Sequence, residues 1–415
     1  LPDGMKKYLA ENEINFYIIN ATRIAEEIGL GNRTNTITQA AFFKISGVLP
    51  YETALTEMKN AVKKSFGRKG EEVVKMNIQA IEKGAEVEKV EVPVEWKNIV
   101  VTEEKDSRSI PDFIRNVVEP INSMKGDDLP VSAFLGREDG TFPAGTTAYE
   151  KRGIAVNVPE WISENCIQCN QCSFVCPHAA IRPFLMNEDE MKGLPADTVT
   201  LKAIPKTFDG LQFRIQVSPL DCTGCGNCAD VCPAKVKALV MKPLDSQRDQ
   251  IERWDYIANN VTYKDKLAPK DQNVKNSQFA QPLFEFSGAC AGCGETPYVK
   301  LITQLFGERM MVANATGCSS IYGGSAPSTP YTKNAEGCGP AWANSLFEDN
   351  AEYGLGMALG VGKMRSRIAE RMGIILNGDY NEELKQACSE WIAGKDNAAQ
   401  SKEASAKVLP LLEKE

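Results

Sequence analysis

Hydrophobic and polar positions in the first part of the chain follow the pattern of one strand and several helices. Residues 16–19 form a short apolar run typical of a strand, and Asn20 can cap a helix that ends at Gly29. Apolar residues recur at three- and four-residue intervals over 51–66 and 74–81, which predicts two more helices ending near Gly67 and Gly84. These units are typical of an α/β domain. Because a doubly wound sheet needs more of them, we expect the chain to begin inside such a domain.

Further along the chain the pattern changes several times. Helical periodicity fades after residue 92, and glycine and proline punctuate short segments, which predicts a small connecting domain over 93–158. A cysteine-rich segment at 159–245 includes a strand-like run at 213–217, and a polar linker is predicted at 246–285. An α/β-like region follows at 286–415. The fold class expected is therefore multidomain, with α/β parts and an α+β cysteine-rich module.

Composition narrows the class of protein. The 415 residues are 43% hydrophobic and 25% charged, which is typical of a soluble globular protein with two to four domains. There are 47 Lys plus Arg residues against 55 Asp plus Glu residues, and the net charge of -8 disfavours nucleic acid as a partner. No apolar run approaches the roughly 18 residues of a membrane span. No signal peptide pattern opens the chain, so we expect a cytoplasmic protein without a membrane partner.

Eight of the thirteen cysteines lie in two runs of the pattern C-x-x-C-x-x-C-x-x-x-C-P. Two-residue gaps let one loop place three thiolates on a single cubane 4Fe-4S cluster, while the fourth cysteine reaches the other cluster. We therefore predict two interlaced ligand sets: Cys166, Cys169, Cys172 and Cys232 on one cluster, and Cys222, Cys225, Cys228 and Cys176 on the other. The alternative is a pair of zinc knuckles, but a closed zinc site has no use for crossed sets.

The only histidine, His178, follows the first run directly. A single imidazole excludes Ser-His-Asp triads, His-rich zinc sites and two-histidine iron sites. We expect His178 and Arg182 to be structural, or to form hydrogen bonds at the edge of a cluster.

A third cysteine group comprises Cys290 and Cys293 at C-x-x-C spacing and Cys318, which follows 25 residues later. Taken alone, the group fits a redox dithiol or a zinc site. Its glycine-rich surroundings favour a close approach of the backbone to a cofactor. The spacing by itself leaves these alternatives open.

Several stretches together resemble the pyruvate:ferredoxin (flavodoxin) oxidoreductases. They are residues 141–153 with Glu150-Lys151-Arg152, the two cysteine runs in the same order, and residues 288–297, 317–322 and 340–350. The resemblance implies that 1–92 is the C-terminal part of a gamma-type oxidoreductase domain and that 93–158 is the Glu-Lys-Arg connecting domain. It also implies a double 4Fe-4S ferredoxin-type domain at 159–245 and the N-terminal part of a thiamine diphosphate domain at 286–415.

The activity implied by the resemblance is oxidative decarboxylation of pyruvate with coenzyme A to acetyl-CoA and carbon dioxide. Electrons would pass through 4Fe-4S clusters to ferredoxin or flavodoxin, and the full-length enzyme would be a homodimer with thiamine diphosphate and Mg²⁺. A third 4Fe-4S cluster is implied on Cys290, Cys293 and Cys318, with its fourth ligand later in the chain. Glu295 and Cys318 correspond to residues that contact thiamine diphosphate, and Glu295 is the catalytic candidate. The alternative for Glu295 is a solvated acid beside a turn.

Three departures from the family pattern affect these expectations. The Gly-Asp-Gly motif for Mg²⁺ and diphosphate is missing, the N-terminal domain with the pyruvate-binding groups is missing, and Cys338 stands where family members usually have arginine. We therefore expect a fragment that is inactive alone, with Cys338 and Cys388 as free thiols. Two alternatives remain: a non-catalytic electron carrier with two 4Fe-4S clusters, and a sister enzyme acting on another 2-oxoacid.

Overall fold

The computed structural model describes residues 1–31, 33–101, 109–345 and 351–414. By its internal contacts the chain divides into two compact units, residues 1–108 and 109–415. The predicted domain boundaries at 92, 158, 245 and 285 remain predictions, because this coarser division does not test them.

The first unit is mainly helical. Its elements are α1 (Asp3–Glu11), β1 (Phe16–Ile18), α2 (Ala21–Glu27), α3 (Asn35–Ser46), α4 (Tyr51–Phe66), α5 (Glu71–Lys83) and β2 (Glu88–Val90). The strand and helices predicted from periodicity are confirmed, and α4 buries Ala54, Met58 and Val62 on the expected face. β1 and β2 pair antiparallel, with Phe16 opposite Val90.

The cysteine-rich part of the second unit is built on short antiparallel sheets. Its elements are α6 (Glu119–Asn122), β3 (Asn157–Trp161), α7 (Gln171–Phe174), β4 (Ile181–Met186), α8 (Glu188–Met191), β5 (Leu201–Lys202), β6 (Gln212–Val217), α9 (Asn227–Asp230) and β7 (Leu239–Pro243). β3 pairs with β7, and β6 lies between β4 and β5. The predicted strand at 213–217 is confirmed as part of β6.

Both faces of β4 are buried, because alternate side chains enter two different cores. Ile181 and Leu185 pack against Phe213 on one face. Phe184 and Met186 pack on the other face against α10 (Asp249–Asn260), which buries Trp254 and Ile257. This differs from the linker predicted at 246–285, since part of that stretch is a helix in the core.

The remainder of the second unit contains helices and one parallel strand pair. Its elements are α11 (Val274–Ser277), α12 (Thr296–Phe306), β8 (Met311–Asn314), α13 (Cys318–Gly324), β9 (Ala341–Asn344), α14 (Ala351–Asn377), α15 (Glu382–Gly394) and α16 (Ala398–Leu412). β8 and β9 are parallel, with Met311 opposite Ala341. Across the described residues the fold is thus mixed α/β and α+β, as expected. No helix in the described ranges is both long and apolar enough to span a membrane.

Candidate metal centres

The two cysteine runs adopt the same backbone path. Gln168 precedes the second cysteine of the first run and has φ +56°, and Gly224 precedes that of the second run and has φ +70°. Asn170 and Gly226 follow these second cysteines and have φ of +61° and +80°, respectively. Each left-handed residue reverses the direction of the chain, so three successive cysteines of a run face one cavity.

Glycine supplies this geometry without strain in the second run, whereas the first run uses side-chain hydrogen bonds to hold it. The Gln168 amide donates to the carbonyl oxygen of Lys202 at 2.8 Å and accepts from the Ile204 N–H at 3.0 Å. The Asn170 amide donates to the carbonyl oxygen of Lys275 at 3.0 Å. Both side chains are buried, and these bonds offset the cost of a left-handed backbone at a non-glycine residue.

One cavity, called centre I here, contains thiols from both runs. It has about 340 Å³ of space not filled by atoms, its open mouth included. Its lining includes Cys166, Cys169 and Cys172 from the first run and Cys232 from the second. The nearby charge of Cys232 contributes to raising the pKa values of Cys166 and Cys172, behind burial as the main cause.

The other cavity, centre II, has the complementary set. It measures about 380 Å³ on the same basis, and its lining includes Cys176, Cys222, Cys225 and Cys228. The structure therefore brings together the two interlaced groups that the spacing predicts. Ligation by these eight thiols remains a prediction.

The surroundings of both cavities suit a cluster of several metal atoms bound by thiolates. The Gly224 N–H donates to the Cys222 sulfur at 3.4 Å, and the Ala238 N–H donates to the Cys232 sulfur at 3.4 Å. Such donors favour charge on sulfur. Burial raises the pKa of Cys172 and Cys228, so both thiols stay protonated unless metal binding displaces the proton.

No three His, Cys, Asp or Glu side chains in the described part of the chain converge closely enough to hold a single metal ion. The four thiols of each centre instead stand around a cavity. This spread matches the four thiolates that surround a cubane.

Comparison with known proteins accounts for almost the whole chain. A family model described as pyruvate ferredoxin/flavodoxin oxidoreductase matches residues 1–87, and a model described as 4Fe-4S dicluster domain matches residues 165–236. A domain of unknown function, EKR, matches residues 101–155.

Two of the most similar relatives are named as pyruvate oxidoreductases. The chain is 54% identical over 413 residues to the pyruvate:ferredoxin oxidoreductase of Moorella thermoacetica, covering 99% of this chain and 35% of the relative. It is 52% identical to the pyruvate-flavodoxin oxidoreductase of Enterobacter agglomerans, covering 98% of this chain and 35% of the relative. Over almost its whole length the chain is therefore similar to pyruvate:ferredoxin (flavodoxin) oxidoreductases. It spans about a third of the length of these curated relatives.

The Glu150-Lys151-Arg152 segment contacts both the loop of centre II and the region that follows Cys318. Lys151 forms a 2.6 Å ion pair with Asp221, the residue directly before Cys222. Arg152 pairs with Glu150, which also accepts a hydrogen bond from Ser328. The segment therefore ties the loop of centre II to the region that follows the third cysteine group.

His178 and Arg182 have the structural roles that were expected. The His178 ring lines centre II, and its Nδ1–H donates to the Ser287 carbonyl oxygen at 3.1 Å. Burial lowers the pKa of His178, which favours the neutral ring. Arg182 forms a buried ion pair with Glu285 and lies over the Trp254 ring, 5.1 Å from its centroid. Neither residue is in a position that requires a catalytic role.

The third cysteine group is more open than the first two. Cys290 and Cys318 are exposed, and the Cys293 N–H donates to the Cys290 carbonyl oxygen at 3.0 Å in a tight turn. Gly292, at φ +74°, brings this turn against centre II, since a Cβ placed there would lie 3.6 Å from the Cys225 Cβ. The group is thus adjacent to the dicluster module, as an electron path requires. Its three-ligand role stays a prediction.

Glu295 directly precedes α12, and its side chain is exposed. Burial raises the pKa of Tyr322 and raises the pKa of Tyr331 to about 12, and the charge of Glu295 adds to both shifts. The carboxylate therefore faces these two phenols. A role for it in binding thiamine diphosphate remains a prediction.

The last two cysteines have different environments. Cys338 is exposed in a loop where its N–H donates to the Asn334 side chain at 2.9 Å. Cys388 is fully buried in the core between α15 and α16, where its neighbours include Leu384 and Trp391. Neither forms a disulfide, and their role as free thiols stays a prediction.

Sequence analysis missed Lys300, a side chain only 1% exposed. Its Nζ donates to the carbonyl oxygens of Ser173, Phe174 and Cys176, in the turn that leads from Cys172 of centre I to Cys176 of centre II. Burial lowers the pKa of Lys300 to about 8, against the opposite effect of Cys176 and Cys172. The available signal was weak: Thr296, Lys300 and Thr303 share one helix face directly after the C-x-x-C motif.

Proposed function

We propose that this chain is the electron-conducting part of a 2-oxoacid oxidoreductase of the pyruvate-oxidising type. The observation that carries the proposal is the pair of neighbouring cavities, each containing three thiols of one cysteine run and one thiol of the other. Bound 4Fe-4S clusters supply one-electron redox chemistry. The protein's own contribution is to hold eight thiolates in place, to direct backbone N–H groups at sulfur, and to keep both centres largely screened from water.

The complete reaction that we propose follows the names of the relatives. Pyruvate and coenzyme A would become acetyl-CoA and carbon dioxide, and the two electrons released would leave one at a time to ferredoxin or flavodoxin. Glu295 and Cys318 would contact thiamine diphosphate, held with Mg²⁺ in the full-length enzyme. Cys290, Cys293 and Cys318 would hold a third cluster between that cofactor and centre II. The enzyme would be cytoplasmic and a homodimer. Light scattering of the full-length protein tests the dimeric state.

The first experiment tests electron conduction by the chain itself. The protein is reconstituted anaerobically with iron and sulfide, reduced with dithionite, freed of excess reductant and mixed with oxidised flavodoxin. We expect a brown protein that bleaches on reduction and is reoxidised as flavodoxin semiquinone forms. About eight irons per chain would indicate centres I and II alone, and about twelve would indicate a third cluster as well. Zinc binding without colour would refute the proposal.

A second candidate function is electron transfer without carbon chemistry, and the open third cysteine group favours it for the isolated chain. Exposed Cys290 and Cys318 leave that site solvated, whereas cofactor chemistry of this type needs an enclosed site. We expect no pyruvate-dependent dye reduction by the 415-residue chain with thiamine diphosphate, Mg²⁺ and coenzyme A. Turnover with pyruvate would overturn this candidate, and turnover with 2-oxoglutarate but not pyruvate would indicate the sister enzyme.

A further inference from the structure

In each run, the Nζ of a lysine donates hydrogen bonds to the turn that joins the third and fourth cysteines. Aligning Cys172 with Cys228 and Cys176 with Cys232 places Phe174 opposite Asp230. Lys300 Nζ donates to the carbonyl oxygens of Phe174 and Cys176, both at 3.2 Å. In the other run, Lys237 Nζ donates to the carbonyl oxygens of Asp230 and Cys232, both at 2.8 Å. The two ammonium groups therefore occupy equivalent positions.

The two lysines differ in their exposure to solvent. Lys300 is 1% exposed, whereas Lys237 is exposed on the surface. An exposed charge is screened by water and ions, but a buried charge acts through a medium of low dielectric constant and is felt over a longer range. Of these two lysines, Lys300 therefore exerts the stronger field on the two centres.

No carboxylate in the described ranges forms an ion pair with Lys300. Arg182, a cation whose charge acts on Lys300, has its own buried partner in Glu285, which offsets that charge. The groups that face Lys300 and carry or can acquire negative charge are the sulfurs of Cys176 and Cys172, one from each centre. A buried ammonium needs a counter-charge, and loaded clusters would supply it.

We propose that the fixed positive charge of Lys300 raises the reduction potential of the two 4Fe-4S centres. The proposal rests on the proposed function, because it requires centres I and II to hold clusters. Reduction adds a negative charge to a cluster, and a nearby buried cation stabilises that charge. Lys300 lies on α12, which begins just after the C-x-x-C motif of the third cysteine group, so the region around that motif would tune the module that receives its electrons.

The test compares four variants of the full 415-residue chain by anaerobic redox titration, followed by EPR of the reduced clusters. Lys300→Met removes the charge and the donors, Lys300→Gln removes the charge but keeps a donor, and Lys300→Arg keeps both. Lys237→Met is the matched control at the equivalent, exposed position. Iron content and the EPR line shape are measured for each protein before the titration.

We expect Lys300→Met and Lys300→Gln to lower the ratio of reduced to oxidised cluster at a fixed potential at least tenfold, a shift of about 59 mV for a one-electron couple. Lys300→Arg and Lys237→Met should change that ratio less than about twofold, because the first keeps the charge and the second removes one that water already screens.

Three results would overturn the proposal. One is an unchanged potential in Lys300→Gln, and another is an equal shift in Lys237→Met. The third is loss of iron from Lys300→Gln, which would show that Lys300 holds the turn together rather than setting the potential. Failure of the proposed function is distinguishable from all three, because the unsubstituted chain would then take up no clusters.

Discussion

The interlaced ligand sets can be tested by pairing cysteine substitutions and counting the centres that survive. Cys176→Ala with Cys222→Ala removes two thiols from centre II and none from centre I. Cys232→Ala with Cys222→Ala removes one thiol from each centre. Both double variants lose the same number of thiols, so they control for each other.

The expected difference follows from the lining of the cavities. The first double variant keeps centre I with its four thiols and should hold about four irons in one EPR-active reduced cluster. The second keeps no site with four thiols and should hold no native 4Fe-4S cluster, with three-iron centres as the most that remains. Any iron held by Cys290 and its partners is the same in both variants and cancels in the comparison.

The assay is iron and sulfide analysis with EPR of dithionite-reduced protein after anaerobic reconstitution. If each run held its own cluster, the pattern would reverse: the Cys232 and Cys222 pair would leave one intact cluster, and the Cys176 and Cys222 pair would leave none. That reversal would refute the crossed arrangement, whatever the total iron of the unsubstituted chain.

Three further predictions concern stability and the contact between cysteine groups. Glu285→Gln should destabilise the reconstituted chain by about 3–5 kcal/mol in urea titrations, since it leaves the buried Arg182 charge unpaired. Glu190→Gln should cost about 1–2 kcal/mol at neutral pH. Hydrogen bonds from Lys264, among others, lower the pKa of Glu190 against the effect of burial. The stability that ionised Glu190 contributes is therefore present above the ordinary carboxyl pKa and lost as pH falls through the depressed pKa. The unfolding free energies of the unsubstituted chain and of Glu190→Gln should thus converge in acid. Gly292→Ala, at φ +74°, should slow electron transfer between the third group and centre II in the full-length enzyme without changing the iron of centres I and II; equal iron loss from all centres would contradict this.

Local signals were enough for much of the fold. The helix Tyr51–Phe66 could be predicted because its apolar residues repeat at the helical period and their burial satisfies that pattern. α10 lies within the linker predicted at 246–285 and was not itself predicted. Ile251, Trp254 and Ile257 do recur at helical intervals, but the polar residues around them favoured a linker. The partners of Trp254, namely Phe184 and Arg182, lie far away in the sequence.

The candidate site likewise has one part that could be predicted from the sequence and one part that only the tertiary structure reveals. Cysteine spacing alone predicted the 4Fe-4S chemistry and the two interlaced groups, because ligand reach along two short loops is a local property of the backbone. Tertiary structure alone decided the position of Lys300: α12 buries its polar face and leaves Tyr298 and Ile302 exposed, the reverse of what periodicity suggests. The physical reason is that its three carbonyl acceptors lie more than 120 residues earlier in the chain, where only folding brings donor and acceptors together.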